Sequence, residues 1–146
     1  MPELTVSVAT ELSIPDVIRV LTDFGPTRAQ VWPGVDTKHF QLHGSGPAWA
    51  DVTEGNSFAW ERARYEWDPA GDSVEATTTD SNLWGPGSGW KFRVAATDHG
   101  TVLEVTAIRV AKNLKGTLVL ALLRPFGRKL TANTFSRALL AYRRAG

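Results

Sequence analysis

Residues Leu114 to Arg144, LKGTLVLALLRPFGRKLTANTFSRALLAYRR, decide the architecture. The stretch reads as helix from end to end and would be about 45 Å long if unbroken, at 1.5 Å per residue. A compact chain of this length has a radius of gyration near 15 Å, so such a helix must cross the whole molecule. Pro125 has no amide proton for the carbonyl four residues earlier, and Gly127 follows at once, which predicts a kink. Beyond it, Phe135, Ala138, Leu139 and Tyr142 lie at i, i+3, i+4 and i+7 and form one apolar face. Arg128, Lys129, Asn133, Arg137 and Arg144 occupy much of the rest. The first half, Leu118 to Leu123, is apolar almost all round and needs cover on more than one side. A ligand cavity beneath it, or a loop or partner above it, would each provide that cover.

Working backwards, residues 38–111 change character. Alternating runs separated by Gly, Pro, Asn and Asp clusters predict consecutive antiparallel strands. They fall near Lys38–His43, Ala48–Thr53, Phe58–Trp67, Ser73–Thr79, Gly89–Ala96 and Thr101–Ala111. Short connections of this kind make a meander. At the front, Leu4, Val6 and Val8 alternate with polar or small residues and predict a first strand. Ser13 stands three residues before Asp16, with Pro15 in the first turn, so a short amphipathic helix should run from Ser13 to about Asp23. A second covers Thr27 to Trp32. The expected fold is therefore α+β, one domain over residues 1–146. Its curved seven-stranded antiparallel sheet wraps a long C-terminal helix, with two short helices after strand 1. Only the long helix can cover the concave face, and a cavity is the natural remainder.

This order of elements resembles the START/polyketide-cyclase-like superfamily (SRPBCC), known for its helix-grip fold. The residues that carry the resemblance are Val17 to Phe24 after the first strand and Trp32-Pro33-Gly34-Val35 after the second helix. Further ones are Tyr65-Glu66-Trp67-Asp68-Pro69, Ser81-Asn82-Leu83-Trp84, Gly87-Ser88-Gly89-Trp90, Gly100-Thr101 and Leu114-Lys115-Gly116. The resemblance implies an internal cavity for a hydrophobic ligand, in a superfamily that spans lipid and sterol carriers, aromatic polyketide cyclases and hormone-binding proteins. Fold constrains the kind of ligand more than the reaction.

Composition bounds the rest. A chain of 146 residues can bury roughly 70% of its unfolded surface. With no cysteine there is neither a disulfide framework nor a thiol nucleophile, which suits a reducing compartment, so the cytoplasm is the expected location. The N-terminus, Met1 to Leu12, lacks a basic start and a continuous apolar stretch and does not read as a signal peptide. Residues 1–104 hold 7 Lys/Arg and all 15 Asp/Glu, whereas residues 105–146 hold 9 Lys/Arg and no acid. Either the basic end lies against the acidic remainder, or it attracts anionic lipid. Nucleic acid is not expected as a partner, because the aromatics are not interleaved with the basic run.

Six tryptophans and six phenylalanines supply the candidate lining. Phe40 and Leu42 alternate on one strand, and Trp90, Phe92 and Val94 on another; both sets are expected on the concave face, opposite Leu118, Leu122 and Phe126. Trp32 and Trp84 belong at the cavity mouth, and Trp60 completes the set. The faces of Phe58–Trp67 stay ambiguous. If the even face is concave, Arg62 or Arg64 becomes a buried cation able to hold a carboxylate. If the odd face is concave, Glu61 and Tyr65 become proton-transfer candidates. His39 and His43 are roughly 13 Å apart on a strand and cannot share a metal ion. No phosphate loop, nucleophile elbow or cofactor motif is present.

These features predict non-covalent binding of a small hydrophobic molecule such as a lipid, sterol or polyketide-like compound. The enzymatic alternative is a cyclase or dehydratase in which Glu61, Arg64 and Tyr65 act. A third reading makes the basic C-terminal helix a docking surface for a membrane or a protein.

Overall fold

A computed structural model describes residues 3–145; Met1, Pro2 and Gly146, and the side chains of Arg144 and Ala145, lie outside the described residues. Strand β1 (Glu3–Thr10) is followed by helices α1 (Ile14–Thr22) and α2 (Arg28–Val31). The meander follows as β2 (Gln41–Gly46), β3 (Trp49–Gly55), β4 (Trp60–Trp67), β5 (Ser73–Ser81), β6 (Gly89–Thr97) and β7 (Gly100–Ile108). The chain ends in α3 (Leu114–Leu123) and α4 (Gly127–Ala145). The seven strands form one antiparallel sheet in the order β1-β7-β6-β5-β4-β3-β2. The fold is the curved sheet and C-terminal grip expected from the sequence.

Local chemistry sets the elements. Ser13 caps α1 by accepting from the Asp16 amide at 3.2 Å, satisfying a donor the helix cannot. The stripe of Val17, Ile18, Val20 and Leu21 is buried, and Val20 and Leu21 present their carbonyls to the site described below. On the sheet, alternation decides the inner face. Val74, Ala76 and Thr78 of β5 are buried while Glu75, Thr77 and Thr79 between them face solvent. Register then aligns Ala107, Trp90, Ala76, Tyr65 and Ala50 in one row across five strands. Register shifts between Leu42 and Gly44 and between Arg62 and Ala63 bend the ladder at the β2–β5 side.

Several boundaries differ from the sequence reading, and four of the differences have a local cause. The strand expected over Lys38–His43 begins only at Gln41, because the Asp36 carboxylate accepts from the His39 amide at 2.8 Å and winds Thr37–His39 into a 3₁₀ turn. β4 begins at Trp60, after a turn in which Asn56 accepts from the amides of Phe58 and Ala59. β7 ends at Ile108, and Ala111 instead makes an isolated bridge to Trp84. The C-terminal helix is broken, not merely kinked. Pro125 interrupts the ladder, and Arg124–Phe126 separate α3 from α4.

Only α4 grips the sheet. Phe135, Ala138 and Leu139 are buried, whereas α3 rests by its start alone. There Asn113 caps the helix by accepting from the Gly116 amide at 2.9 Å, and its side-chain amide donates to the Asn82 carbonyl. Gly116 is pressed on the loop: a Cβ at that position would lie 2.4 Å from the Leu83 carbonyl oxygen. Ala is the better helix former by about 1 kcal/mol, but overpacking against backbone costs about 1–3 kcal/mol. Because the clash is with backbone, the upper end of that cost applies, and Gly116→Ala is expected to lower stability by about 2 kcal/mol net in urea titration; a stabilised variant would contradict this contact.

Candidate functional site

The interior between α4 and the sheet holds a cavity of about 270 Å³ that opens to solvent. Its apolar walls are Trp90 and Phe92 of β6, Trp32 at the end of α2 and Phe135 of α4, with Leu21 of α1. Phe135 stands edge-on to Trp32 with ring centroids 5.0 Å apart, and lies 5.6 Å from Phe92 and 5.8 Å from Trp90. Trp90 and Phe92 are themselves parallel to within 5°. Trp60 and Trp84 border the same space.

The cavity wall is also charged, in two separate pairs. In the first, Arg28 donates to both oxygens of Glu54 at 2.8 and 2.9 Å and to the carbonyls of Val20 and Leu21 at 3.4 and 3.0 Å. Its guanidinium lies over the rings of Phe24 and Trp32, 4.5 and 5.1 Å from their centroids. The Tyr65 hydroxyl donates to Glu54 at 2.7 Å and accepts from Arg28 at 3.3 Å. In the second pair, Arg109 donates to both oxygens of Glu61 at 3.0 Å. Trp90 Nε1 adds a bond at 2.9 Å and the Thr78 hydroxyl one at 2.8 Å, so Glu61 accepts four. Arg109 also stacks over Trp90 and Trp84, 4.3 and 5.4 Å from the ring centroids. Bidentate, planar pairing of this kind suits arginine and not lysine.

Electrostatics fix the protonation states. Burial opposes ionisation of Glu61, but the Arg109 charge, with hydrogen bonds from Arg109, Trp90 and Thr78, outweighs it and holds the carboxyl below its ordinary range. Burial, reinforced by the neighbouring Glu54 charge, pushes the Tyr65 phenol well above its ordinary value. Burial likewise opposes the charge on Arg28, and Glu54 with Tyr65 more than restores it. Each of these two cations has a carboxylate of its own, and no buried side-chain nitrogen or oxygen among the described residues lacks a partner.

The structure resolves the face of β4: the odd positions Glu61, Ala63 and Tyr65 look inward. Trp60, an even position, reaches the cavity only because it opens the strand. Arg62 and Arg64 lie on the outer face, where Arg62 pairs with Asp51 at 2.8 Å and Arg64 stacks on Trp49 at 4.6 Å. Arg64 is thereby corrected as a candidate actor, since the sheet stands between it and the cavity. Trp32, Trp84, Trp90 and Phe92 are brought together around the cavity.

Other candidate positions are corrected. Val94 is buried in the core beyond the cavity, and Leu42 is on the exposed edge strand β2. Phe40 borders a separate hollow with Phe24, Pro26 and Ala29. Leu118, Leu122 and Phe126 face solvent, because the helix break swings α3 away from the sheet. Sequence reasoning missed Arg28, Glu54 and Arg109. Arg28 sits in a four-residue helix that gives no period to read, whereas Glu54 follows Ala50 and Val52 in the inward phase of β3, a signal that its charge obscured. Arg109 follows the alternating apolar run of β7, which was its one available signal.

No protein-family model matches the sequence, and neither does any curated protein. Solved structures do match in shape. TTHA0849 from Thermus thermophilus superposes with a TM-score of 0.72 at 13% identity, over 97% of this chain and 94% of that one. The Zhui aromatase/cyclase from Streptomyces sp. R1128 gives 0.68 at 17% identity, over 99% and 94%. A START superfamily protein from Mycobacterium smegmatis gives 0.60 at 14% identity, over 91% and 95%. The chain has the helix-grip fold of START and polyketide-cyclase-like proteins.

Proposed function

We propose that the chain acts as one domain that binds, and thereby carries or senses, a small uncharged planar aromatic molecule of polyketide-like character. The supporting observation is the wall itself: four aromatic rings converge on a space whose two cations, buried Arg28 and largely covered Arg109, are already neutralised by Glu54 and Glu61. A ligand carboxylate or phosphate would have to displace one of those carboxylates. A neutral ring system bearing hydroxyls needs no such exchange, stacks on the indoles and can bond to the rim. The volume of about 270 Å³ lies at the small end for ligand sites, which favours a few fused rings over a long acyl chain or a sterol. Shape similarity to an aromatase/cyclase fits this choice. The cytoplasm is the proposed place of action, given a chain without cysteine.

The cyclase reading places Glu61 and Tyr65 on the cavity wall, as a proton-transfer site requires. Yet Glu61 is ionised with both oxygens saturated, and the Tyr65 proton is committed to Glu54. A general acid or base needs a free lone pair or a proton at a matched pKa. This arrangement favours holding a ligand over reacting with it.

Titration of intrinsic tryptophan fluorescence with 1,8-dihydroxyanthraquinone, palmitate and cholesterol tests the proposal. Saturable quenching by the anthraquinone, at least about tenfold tighter than either lipid, is expected; a tenfold preference is 1.4 kcal/mol. Preference for palmitate, or no saturable change with any planar aromatic, would overturn it.

A further inference from the structure

Outside the cavity, the most unusual feature is what α3 leaves uncovered. Leu114, Leu118, Leu122, Phe126 and Leu130 recur every fourth residue across the helix break, and every one is exposed. Leu114 is 75% exposed, Leu122 73% and Phe126 66%. A scattered exposed leucine is ordinary in a folded protein, whereas an unbroken apolar ridge marks a surface that meets something.

The charges on the same segment point to its partner. Lys115, Arg124, Arg128 and Lys129 are all exposed, and none makes an ion pair among the described residues. Elsewhere the basic C-terminal region does lie against acids, through Arg109 with Glu61, Lys112 with Asp80 and Arg143 with Glu11. Among the described residues Arg137, further along α4, is likewise exposed and without an ion pair, so the unpaired positive charge runs from Lys115 into α4, and no Asp or Glu occurs anywhere in residues 105–146. A second copy of this chain fits such a face poorly, because a two-fold contact sets each patch against itself and cation against cation. A surface of negative charge with an oily interior fits both properties.

We infer that α3 and the α3–α4 corner form a docking surface for an anionic phospholipid bilayer. The leucine ridge and Phe126 enter the boundary between headgroups and acyl chains, and the four cations meet headgroup phosphates. At ten residues α3 is about 15 Å long and lies in the interface; among the described residues no helix is long and apolar enough to cross a membrane. The inference stands whatever the cavity holds.

Co-sedimentation of the full chain with phosphatidylcholine vesicles, with and without phosphatidylglycerol, tests it. Binding is expected to the mixed vesicles and at least about tenfold weaker to the neutral ones. It should also weaken about tenfold between 0.1 M and 1 M salt, as the Debye length shrinks from about 10 to 3 Å. Leu118→Asp with Leu122→Asp should abolish sedimentation while the chain keeps its cooperative thermal unfolding, since both side chains are largely exposed. Arg124→Glu with Arg128→Glu should remove the preference for phosphatidylglycerol. Failure to sediment with mixed vesicles, or equal binding to both compositions, overturns the inference. So does a dimer seen by light scattering that the Leu118/Leu122 variant dissociates, because the ridge would then belong to a second copy.

Discussion

Arg109→Met is expected to lower stability at pH 7 by about 3 kcal/mol, with a deficit that narrows as the solution is acidified. Removing one member of a buried pair leaves the other charge without compensation, at about 3–5 kcal/mol. The low end applies because the side chains of Arg109 and Glu61 keep 13% and 17% exposure and water can reach Glu61 in part. Trp90 and Thr78 would still donate to the stranded carboxylate. For a chain of this size the thermal midpoint should fall by roughly 6–12 °C.

The pH dependence follows from the direction of each shift. In the native protein Glu61 titrates below its ordinary 4.5, so its contribution is fully present above that value and is lost as pH falls through the lower folded value. Without Arg109, burial, the largest single influence on Glu61, is opposed only by the hydrogen bonds from Trp90 and Thr78, and the folded value rises. The variant then suffers most where Glu61 is ionised and recovers as pH falls through the raised value. Urea midpoints at about pH 7 and pH 4 give the comparison. Pairing the change with Glu61→Leu should restore much of the stability at pH 7, because a well-packed apolar pair is often neutral or better than a buried ion pair. A single-variant deficit that grows in acid would show that the pair does not hold Glu61 ionised.

These two pairs also show what sequence patterning can and cannot reach. The strand order, the capped first helix and the final grip were legible, since each rests on local periodicity or punctuation: Ser13 before Asp16, Val74-Ala76-Thr78 alternating with Glu75 and Thr77. The aromatic wall was legible in part, because Trp90 and Phe92 lie on one face of a regular strand. Glu61 was readable as one of two alternatives, and the Arg109 opposite settles which. That partner is 48 residues away, and nothing in a two-residue period couples positions on β4 and the end of β7. Arg28 with Glu54 is harder still, joining a four-residue helix to the end of β3. The leucine ridge misled for a different reason. An all-round apolar helix is normally buried, and only the position of the break at Arg124–Phe126 decides that α3 points outward.

Phe135→Ala is expected to damage stability and ligand binding together, which separates it from any other deletion in the helix. Phe135 is buried and is the ring through which α4 meets α2 and the sheet at once, by way of Trp32, Trp90 and Phe92. Truncating a buried phenylalanine costs about 3–5 kcal/mol, the transfer of the ring plus the hollow left behind. A midpoint drop of roughly 6–20 °C follows. The hollow adjoins the existing cavity, so the site widens and a bound ring system loses one aromatic contact, about 0.5–1.5 kcal/mol or a few-fold to about tenfold in Kd. Leu139→Ala supplies the control. Leu139 is equally buried one turn further along α4 but does not line the cavity, so its loss should lower stability by about 2–5 kcal/mol and leave affinity for the anthraquinone unchanged. Equal weakening of binding by both variants would mean that affinity merely tracks stability, and Phe135 would cease to be a wall of the site.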